Sequence, residues 1–326
     1  MSIKPDNLNL NLNLNLGAAA ASGAGASGGR LRYNTEDFPK LARLPQPPIA
    51  ADDQFAAVPL FPHRPTWDAE NRAWLHLAEF IRAIPLVLGP SDVHRGTFDA
   101  WLANVVTDID TTVVIPPAKR YRCPAGPHPT TLTAAELDDE IATMVDASLD
   151  RGDRLAEIVD QADGEGALNY WTGLLSLQPG SRPNTHLLIR VGRKIGELVV
   201  MRLKDIYRCP RPSAIHPLIV PAIDPPDTPS YPSGHATQSW LVSRLLIEAI
   251  DPNNGVDPPP LHLKTNSLPR ALRRLAERVA ENRTVAGLHF PADNLAGEHT
   301  ARRCLRRAVL CPSIAALIVL ARNENR

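Results

Sequence analysis

Apolar side chains recur every three or four residues along most of this chain, the spacing that places them on one face of an α-helix. Pro-rich and polar stretches separate these segments, and after residue 16 no convincing series of segments shows the alternation of apolar and polar residues typical of paired strands. The pattern therefore predicts an all-α fold, a helical bundle around one core. The predicted helices cover residues 66–86, 133–161, 166–177, 184–207, 235–250, 267–282 and 293–321.

The first 30 residues differ in composition from the rest of the chain. Asn and Leu alternate over residues 7–16, and Ala, Gly and Ser follow. Such a segment buries too little apolar surface to offset the entropy of ordering, so we expect residues 1–30 to be a disordered tail. Residues 31–180 are predicted to be an extended segment with packing helices. Residues 181–326 are predicted to be the helical-bundle core, in one integrated domain with 31–180.

The stretch 209–231 is rich in Pro and joins two of the motifs described below. Because Pro lacks a backbone N–H and breaks helices, this stretch is predicted to contain no helix. Long ordered loops in compact domains usually carry function, so the stretch is a candidate part of a site.

Charge and composition exclude some partners. Lys plus Arg and Asp plus Glu each number 35, so the formal net charge is zero, and aromatic residues make up only 5%. A chain with no basic field and few stacking side chains is not expected to bind nucleic acid. The four Cys residues lack zinc-ligand spacing and are interpreted as reduced thiols.

Nothing in the hydropathy indicates a membrane span or an export signal. The longest uncharged apolar segment, residues 308–321, is shorter than the ~20 residues that a transmembrane helix needs. Asn residues interrupt the only apolar stretch near the start, where a signal peptide would need continuous hydrophobicity. We therefore expect a cytoplasmic protein without transmembrane segments.

The first motif is Lys204-x(6)-Arg211-Pro212, two cations at the end of a predicted helix and on the loop after it. An Arg guanidinium can donate to two oxygens of one oxyanion at once. Taken alone, the pair is better interpreted as a solvated basic helix end.

The second motif is Pro232-Ser233-Gly234-His235 before an apolar helix. A Ser-Gly turn at a helix start points backbone N–H groups at a bound anion, and His235 is placed for proton transfer. The alternative interpretation is an ordinary helix cap with a packed His.

The third motif is Arg283-x(5)-His289-x(3)-Asp293, with Pro291 suited to the first turn of a helix. Asp293 lies close enough in sequence to accept a hydrogen bond from one nitrogen of His289, leaving the other nitrogen basic. Alternatively, Asp293 only complements the helix dipole.

In this order and spacing, the three motifs resemble the signature of the type-2 phosphatidic acid phosphatase and vanadium-dependent haloperoxidase superfamily. Its pattern is Lys-x(6)-Arg-Pro, then Pro-Ser-Gly-His, then Ser-Arg-x(5)-His-x(3)-Asp. The resemblance covers about residues 181–300 and implies a helical bundle of the acid phosphatase and haloperoxidase type. Asn282 stands where the pattern has Ser, which puts the supporting role of that Ser in doubt.

The resemblance also implies residue roles. His289 is the nucleophile that forms a phosphohistidine, His235 is the general acid and base, and Asp293 orients His289. A phosphatase of this kind requires no cofactor and acts on a small phosphorylated substrate. The phosphate, or vanadate in its place, is held by Lys204, Arg211, Ser233, Gly234 and Arg283.

Three functions remain open at this stage. Phe290 and Pro291 after His289 favour the phosphatase branch. The Pro-rich approach over residues 227–235 is similar to soluble bacterial relatives grouped with the haloperoxidases, which bind vanadate through the equivalent of His289. The third possibility is a non-catalytic helical protein that only binds oxyanions. A homo-oligomer is compatible with all three.

Overall fold

The computed structural model describes residues 68–82, 84, 94–112, 134–162, 164–178, 180–251 and 267–325. Backbone contacts divide the chain into Met1–Thr66 and Trp67–Arg326, and every described residue belongs to the second unit. The predicted tail 1–30 therefore lies outside the described residues. Within them the chain is all-α, without strands, and Ile84 and Gly96 form one isolated antiparallel bridge. The helices are α1 (Ala69–Ile81), α2 (Phe98–Thr112), α3 (Ala134–Ser148), α4 (Arg151–Asp160), α5 (Gly164–Leu174), α6 (Pro183–Tyr207), α7 (Pro212–Ile215), α8 (Gly234–Ile250), α9 (Leu268–Val285), α10 (Pro291–Ala308) and α11 (Pro312–Glu324).

Helix α8 is the centre of the bundle, and α6, α9, α10 and α11 pack around it. Its side chains are buried along nearly its whole length, as its apolar sequence predicts. Helix α6 approaches α8 closely because Gly192 and Gly196 face it. A Cβ on Gly192 would lie 3.0 Å from Cγ2 of Val242, and one on Gly196 would lie 3.0 Å from Cγ of Gln238. This crossing fixes the C-terminal end of α6 beside the N-terminus of α8, where the first two motifs lie.

The helices on either side of residue 180 pack together. Helices α3, α4 and α5 all contact α9, and α1 contacts α6. The predicted helix over 66–86 is confirmed as α1, and Asp68 caps it by accepting a hydrogen bond of 2.7 Å from the backbone N–H of Asn71.

Two segments predicted as single helices are each broken. The predicted helix 133–161 consists of α3 and α4, separated at Leu149 and Asp150. The break lets each half bury its apolar face in a different place: Met144 in the main core and Ile158 in a smaller cluster. The predicted helix 293–321 consists of α10 and α11, because Pro312 cannot continue the hydrogen bonds of α10.

The bend between α10 and α11 is 98°. Among the described residues, no single helix has both the length and the apolar character of a membrane span, and only this bent pair meets that criterion jointly.

Two helices have no counterpart in the sequence predictions. Helix α2 begins after Thr97, whose hydroxyl accepts a hydrogen bond of 3.2 Å from the backbone N–H of Ala100, and it buries Trp101 against Phe80. Helix α7 is a single turn inside the Pro-rich stretch, so the prediction that 209–231 contains no helix is wrong there. Pro212 is the first residue of α7, a position where the missing N–H has no helical partner to lose.

Candidate active site

His289 and Asp293 meet at the start of α10, as the third motif predicts. Phe290 precedes the first helical residue, and Asp293 lies in the first turn. The carboxylate oxygen Oδ2 of Asp293 lies 3.2 Å from Nδ1 of His289 and accepts hydrogen bonds from the backbone N–H of Phe290 at 3.0 Å and the hydroxyl of Ser230 at 2.6 Å. The carboxylate therefore has both a capping role and an orienting role, and the two interpretations of this residue are compatible.

The second ring nitrogen of His289 defines its tautomer. Its Nε2 lies 3.0 Å from Nη1 of Arg211, and a guanidinium can only donate. Nε2 is therefore an acceptor, and the proton of neutral His289 is on Nδ1, directed to Asp293. Burial lowers the pKa of His289 well below its ordinary value, and nearby cations lower it further. Those cations are Arg211, Lys204 and Arg283.

The cations of the first motif are bound to the Pro-rich loop. The hydroxyl of Thr228 accepts from Nζ of Lys204 at 3.3 Å and from Nη2 of Arg211 at 3.1 Å. Lys204 also donates to the carbonyl of Pro229, and Arg211 donates to the carbonyls of Thr228 at 2.9 Å and Leu288 at 3.0 Å. Burial, with a smaller contribution from Arg211, lowers the pKa of Lys204 to about 7. Lys204 therefore changes between its charged and neutral forms near neutral pH.

The second motif forms the N-terminus of α8. The Ser233 hydroxyl caps the helix by accepting from the backbone N–H of Ala236 at 3.3 Å. The backbone N–H of Ser233 donates to the carbonyl of Asp293 at 3.0 Å, which joins the second and third motifs. A Cβ on Gly234 would meet only Cγ1 of Val200, at 3.7 Å, so protein packing does not require Gly at this position.

A second glycine sets the distance between α10 and α8. A Cβ on Gly297 would lie 2.8 Å from Cβ of Ala236 and 2.9 Å from the carbonyl oxygen of Ser233. Only a residue without a side chain allows α10 to approach this closely. Gly297 therefore controls the separation between the helix start that carries Ser233 and the helix start that carries Asp293.

His235 lies in the first turn of α8 and is partly exposed. Its Nε2 lies 2.8 Å from the carbonyl oxygen of Gln161. Since a carbonyl only accepts, Nε2 carries a proton and Nδ1 is the acceptor of the neutral ring. Burial lowers the pKa of His235 well below its ordinary value, and the charges of Arg283, His289 and Lys204 add to this effect.

Arg283 is completely buried near the end of α9. Its Nη2 donates to the carbonyl of Ile158 at 3.1 Å and to Oε1 of Gln161 at 3.3 Å. Its Nε and Nη1 have no hydrogen-bond partner among the described residues. Burial lowers the pKa of Arg283 to about 10, so the side chain stays cationic at neutral pH. A buried cation with two unused donors is suited to an oxyanion.

Asn282, where the family pattern has Ser, faces α4 instead of solvent. Its Nδ2 donates to Oε2 of Glu157 at 2.9 Å and to Oε1 of Gln161 at 3.0 Å, and its Oδ1 accepts from Arg154 at 3.3 Å. The residue is completely buried. In this chain, position 282 therefore connects α9 to the end of α4.

The predicted site residues form one connected group. Hydrogen bonds link Lys204, through Thr228, to Arg211 and then to His289 and Asp293. Asp293 is bonded to Ser233, and Gly234 and His235 follow in the same turn. Arg283 joins this group through its electrostatic influence on both His side chains.

Sequence reasoning missed three residues that support this group: Thr228, Ser230 and Gln161. Thr228 and Ser230 lie in the Pro-rich loop directly before the second motif, so their position was a usable signal. Gln161 lies far from every motif in sequence, and no local pattern indicates its contacts. Within the part of the chain that the structure describes, His, Cys, Asp and Glu side chains form no group suited to a metal ion.

Comparison with known proteins adds no family assignment. A scan against protein-family models finds no match, and no curated protein matches the chain significantly. The resemblance described above therefore depends on the three motifs, and the superfamily assignment stays a prediction.

Proposed function

We propose that this protein is a phosphatase that hydrolyses a phosphomonoester through a phosphohistidine intermediate on His289. The observation that carries the proposal is the arrangement around that ring: Asp293 at Nδ1, and at Nε2 a lone pair facing Arg211. A neutral imidazole whose proton is held on one side by a carboxylate is a nucleophile on the other side. The surrounding cations are suited to the charge of a phosphoryl group.

The proposed first step transfers the phosphoryl group. Nε2 of His289 attacks phosphorus, the P–O bond to the alkoxide breaks, and His235 donates its proton to the leaving oxygen. Since Nε2 of His235 donates to a backbone carbonyl, the transferable proton is on Nδ1. A bound phosphate dianion offsets the cations that lower the pKa of His235, and so raises the fraction of protonated imidazole.

The second step releases phosphate. Neutral His235 takes a proton from water, the resulting hydroxide attacks phosphorus, and the P–N bond to His289 breaks. The oxygens of the phosphoryl group are held throughout by Arg283, whose Nε and Nη1 have no acceptor among the described residues, and by Lys204 and Arg211. We also propose that the all-α bundle is of the acid phosphatase and haloperoxidase type.

The test is turnover of p-nitrophenyl phosphate by the wild type and two His variants. We expect His289→Ala to abolish turnover and His235→Ala to slow it by about 10²–10⁴-fold while retaining phosphate binding. His76→Ala serves as the control, since that imidazole lies on α1 and contacts Ser313. Normal turnover by either of the first two variants would refute the mechanism.

The same donors also fit vanadate, so a second assay separates the two branches. In the haloperoxidase branch, Nε2 of His289 and the cations would hold vanadate, which would supply peroxide activation. The assay combines vanadate, peroxide and bromide and measures bromination of monochlorodimedone. The phosphatase proposal expects vanadate to inhibit competitively and bromination to be negligible. Sustained bromination without phosphatase activity would favour the haloperoxidase. Phosphate binding without either activity would favour an oxyanion-binding protein.

A further inference from the structure

Gln161 contacts both His235 and Arg283. Its backbone carbonyl accepts from Nε2 of His235 at 2.8 Å, and its side-chain Oε1 accepts from Nη2 of Arg283 at 3.3 Å and from Nδ2 of Asn282 at 3.0 Å. The residue is completely buried. Because two donors point to the same amide atom, that atom is the oxygen, which fixes the orientation of the carboxamide.

Gln161 is the C-terminal cap of α4, and the end of that helix is directed at the site. Its backbone N–H donates to the carbonyl of Glu157, which continues the helical ladder into this residue. The carbonyls of Ile158 and Gln161 are among those that a helix C-terminus leaves without helical partners. One accepts from Arg283 and the other from His235. The C-terminus of α4 thus presents its partial negative charge to the donors of the site.

Helix α4 is firmly attached to α9, which carries Arg283. Glu157 accepts two hydrogen bonds of 2.8 Å from the guanidinium of Arg278 and one of 2.9 Å from Asn282. Ile158 is buried in a cluster with Val285. Contacts with α9, the helix that carries Arg283, therefore fix the position of Gln161.

The amide nitrogen of Gln161 is buried on the side of Tyr170. Burial and a hydrogen bond to Asp160 raise the pKa of Tyr170, and the Gln161 side chain opposes this, so the amide lies near the Tyr170 hydroxyl. Among the described residues, Nε and Nη1 of Arg283 are buried donors without a protein acceptor.

We propose that Gln161 is a positioning residue for the oxyanion site: its side chain orients Arg283 while its backbone carbonyl holds His235 in the tautomer with a proton on Nε2. The proposal rests on the proposed function, because it assigns Arg283 to the phosphate. It gives the C-terminus of α4, which lies outside the three motifs in sequence, a specific role. The role differs from packing because it acts through Arg283 and disappears when that guanidinium is replaced.

The experiment is a double-mutant cycle read out as inorganic phosphate affinity by calorimetry. Gln161→Met keeps the side-chain length and the backbone carbonyl but removes both amide groups. We expect it to weaken phosphate binding about tenfold, the usual effect of a lost hydrogen bond to a charged group. In an Arg283→Lys background, we expect the same substitution to change affinity less than twofold. Gln178→Met, at an exposed Gln, is the control and should bind phosphate normally.

Turnover gives an independent readout of how the two functions of Gln161 are divided. In Gln161→Met we expect KM for p-nitrophenyl phosphate to rise. The limb of the pH profile that reports His235 should stay in place, because the backbone carbonyl is retained. A shift of that limb with an unchanged KM would overturn the proposal, as would additive effects in the cycle or wild-type phosphate affinity in Gln161→Met.

A second variant covers the case in which Gln161→Met does not fold. Gln161→Glu keeps acceptors for Arg283 and Asn282, but its carboxylate pairs with the guanidinium, so phosphate affinity should fall more than tenfold. Wild-type affinity in this variant would overturn the proposal. Because the cycle measures binding, a wild type that binds phosphate without hydrolysing p-nitrophenyl phosphate would refute the hydrolase and still decide the role of Gln161. A wild type that binds no phosphate would refute both.

Discussion

The two sides of the candidate site are built differently. On the loop side, Lys204 and Arg211 donate to oxygens of Thr228, Pro229 and Leu288. On the helix side, two guanidinium nitrogens of Arg283, Nε and Nη1, have no acceptors among the described residues. The loop side therefore has its cations engaged with protein, whereas the helix side has donors available for a ligand. Both kinds of cation are buried, so exposure does not explain the difference.

This difference indicates a division of work between the two sides. The loop side fixes the tautomer of His289, because Ser230 and Asp293 meet at its Nδ1 and Arg211 faces its Nε2. An oxyanion that enters must share Arg211 and Lys204 with the loop oxygens, but it finds Arg283 with open donors. We therefore expect the loop side to govern the reactivity of His289, and Arg283 to govern affinity for the oxyanion.

The largest expected effect is on the orientation of His289, in Asp293→Asn. An amide can donate to Nδ1 and so move the proton of His289 to Nε2, where it blocks attack. We expect kcat for p-nitrophenyl phosphate to fall by about 10³–10⁴-fold, as in other hydrolases that lose an orienting carboxylate. Asp205→Asn, at an exposed carboxylate paired with Arg208, is the control. A loss smaller than about tenfold would remove Asp293 from the mechanism.

The same variant has a pH signature in stability. Burial raises the pKa of Asp293 to about 6, above the value in an unfolded chain. The folded state thus favours the protonated acid, and wild-type stability falls as the pH rises through about 6. Asn cannot ionise, so urea unfolding at about pH 5 and about pH 8 should show Asp293→Asn gaining stability relative to wild type at the higher pH.

A comparison of one cation from each side tests the division directly. We expect Arg283→Met to weaken sulfate binding by about 30–100-fold, since it removes a buried charge with open donors, and Lys204→Met to weaken it less. The effect of Lys204→Met should fade as the pH rises above about 7, where Lys204 loses its proton, while that of Arg283→Met persists. Sulfate is used because it does not titrate in this range. Equal, pH-independent effects would contradict the proposed division.

The smallest expected effect concerns the contact between α10 and the start of α8. Gly297→Ala places a Cβ 2.8 Å from Cβ of Ala236 and should separate α10 from α8, at a cost of about 1–3 kcal/mol in the free energy of unfolding. Gly152→Ala is the matched control, because its Cβ would meet nothing within 4 Å and should stabilise by up to about 1 kcal/mol. Wild-type stability in Gly297→Ala would show that the two helix starts need no fixed spacing.

Local features of the site follow from the sequence to a useful extent. Pro291 at the start of a helix and the four-residue spacing of His289 and Asp293 predict the observed contact of 3.2 Å. Ser233 before Gly234 predicts the cap of α8. The division of residues 133–161 into two helices does not follow from periodicity, because both halves are amphipathic. The clusters that bury Met144 and Ile158 come from distant parts of the chain.

By itself, the sequence determined the all-α class, most helix positions and a set of residues with the chemistry of an oxyanion site. These features depend on interactions among residues a few positions apart, which periodicity, capping and spacing record. The tertiary structure alone decided that Thr228 accepts from two cations and that two nitrogens of Arg283 find no acceptor in the part of the chain that the structure describes. It also decided that Gln161 reaches both His235 and Arg283, since these contacts arise from packing between segments whose separation in sequence carries no local signal.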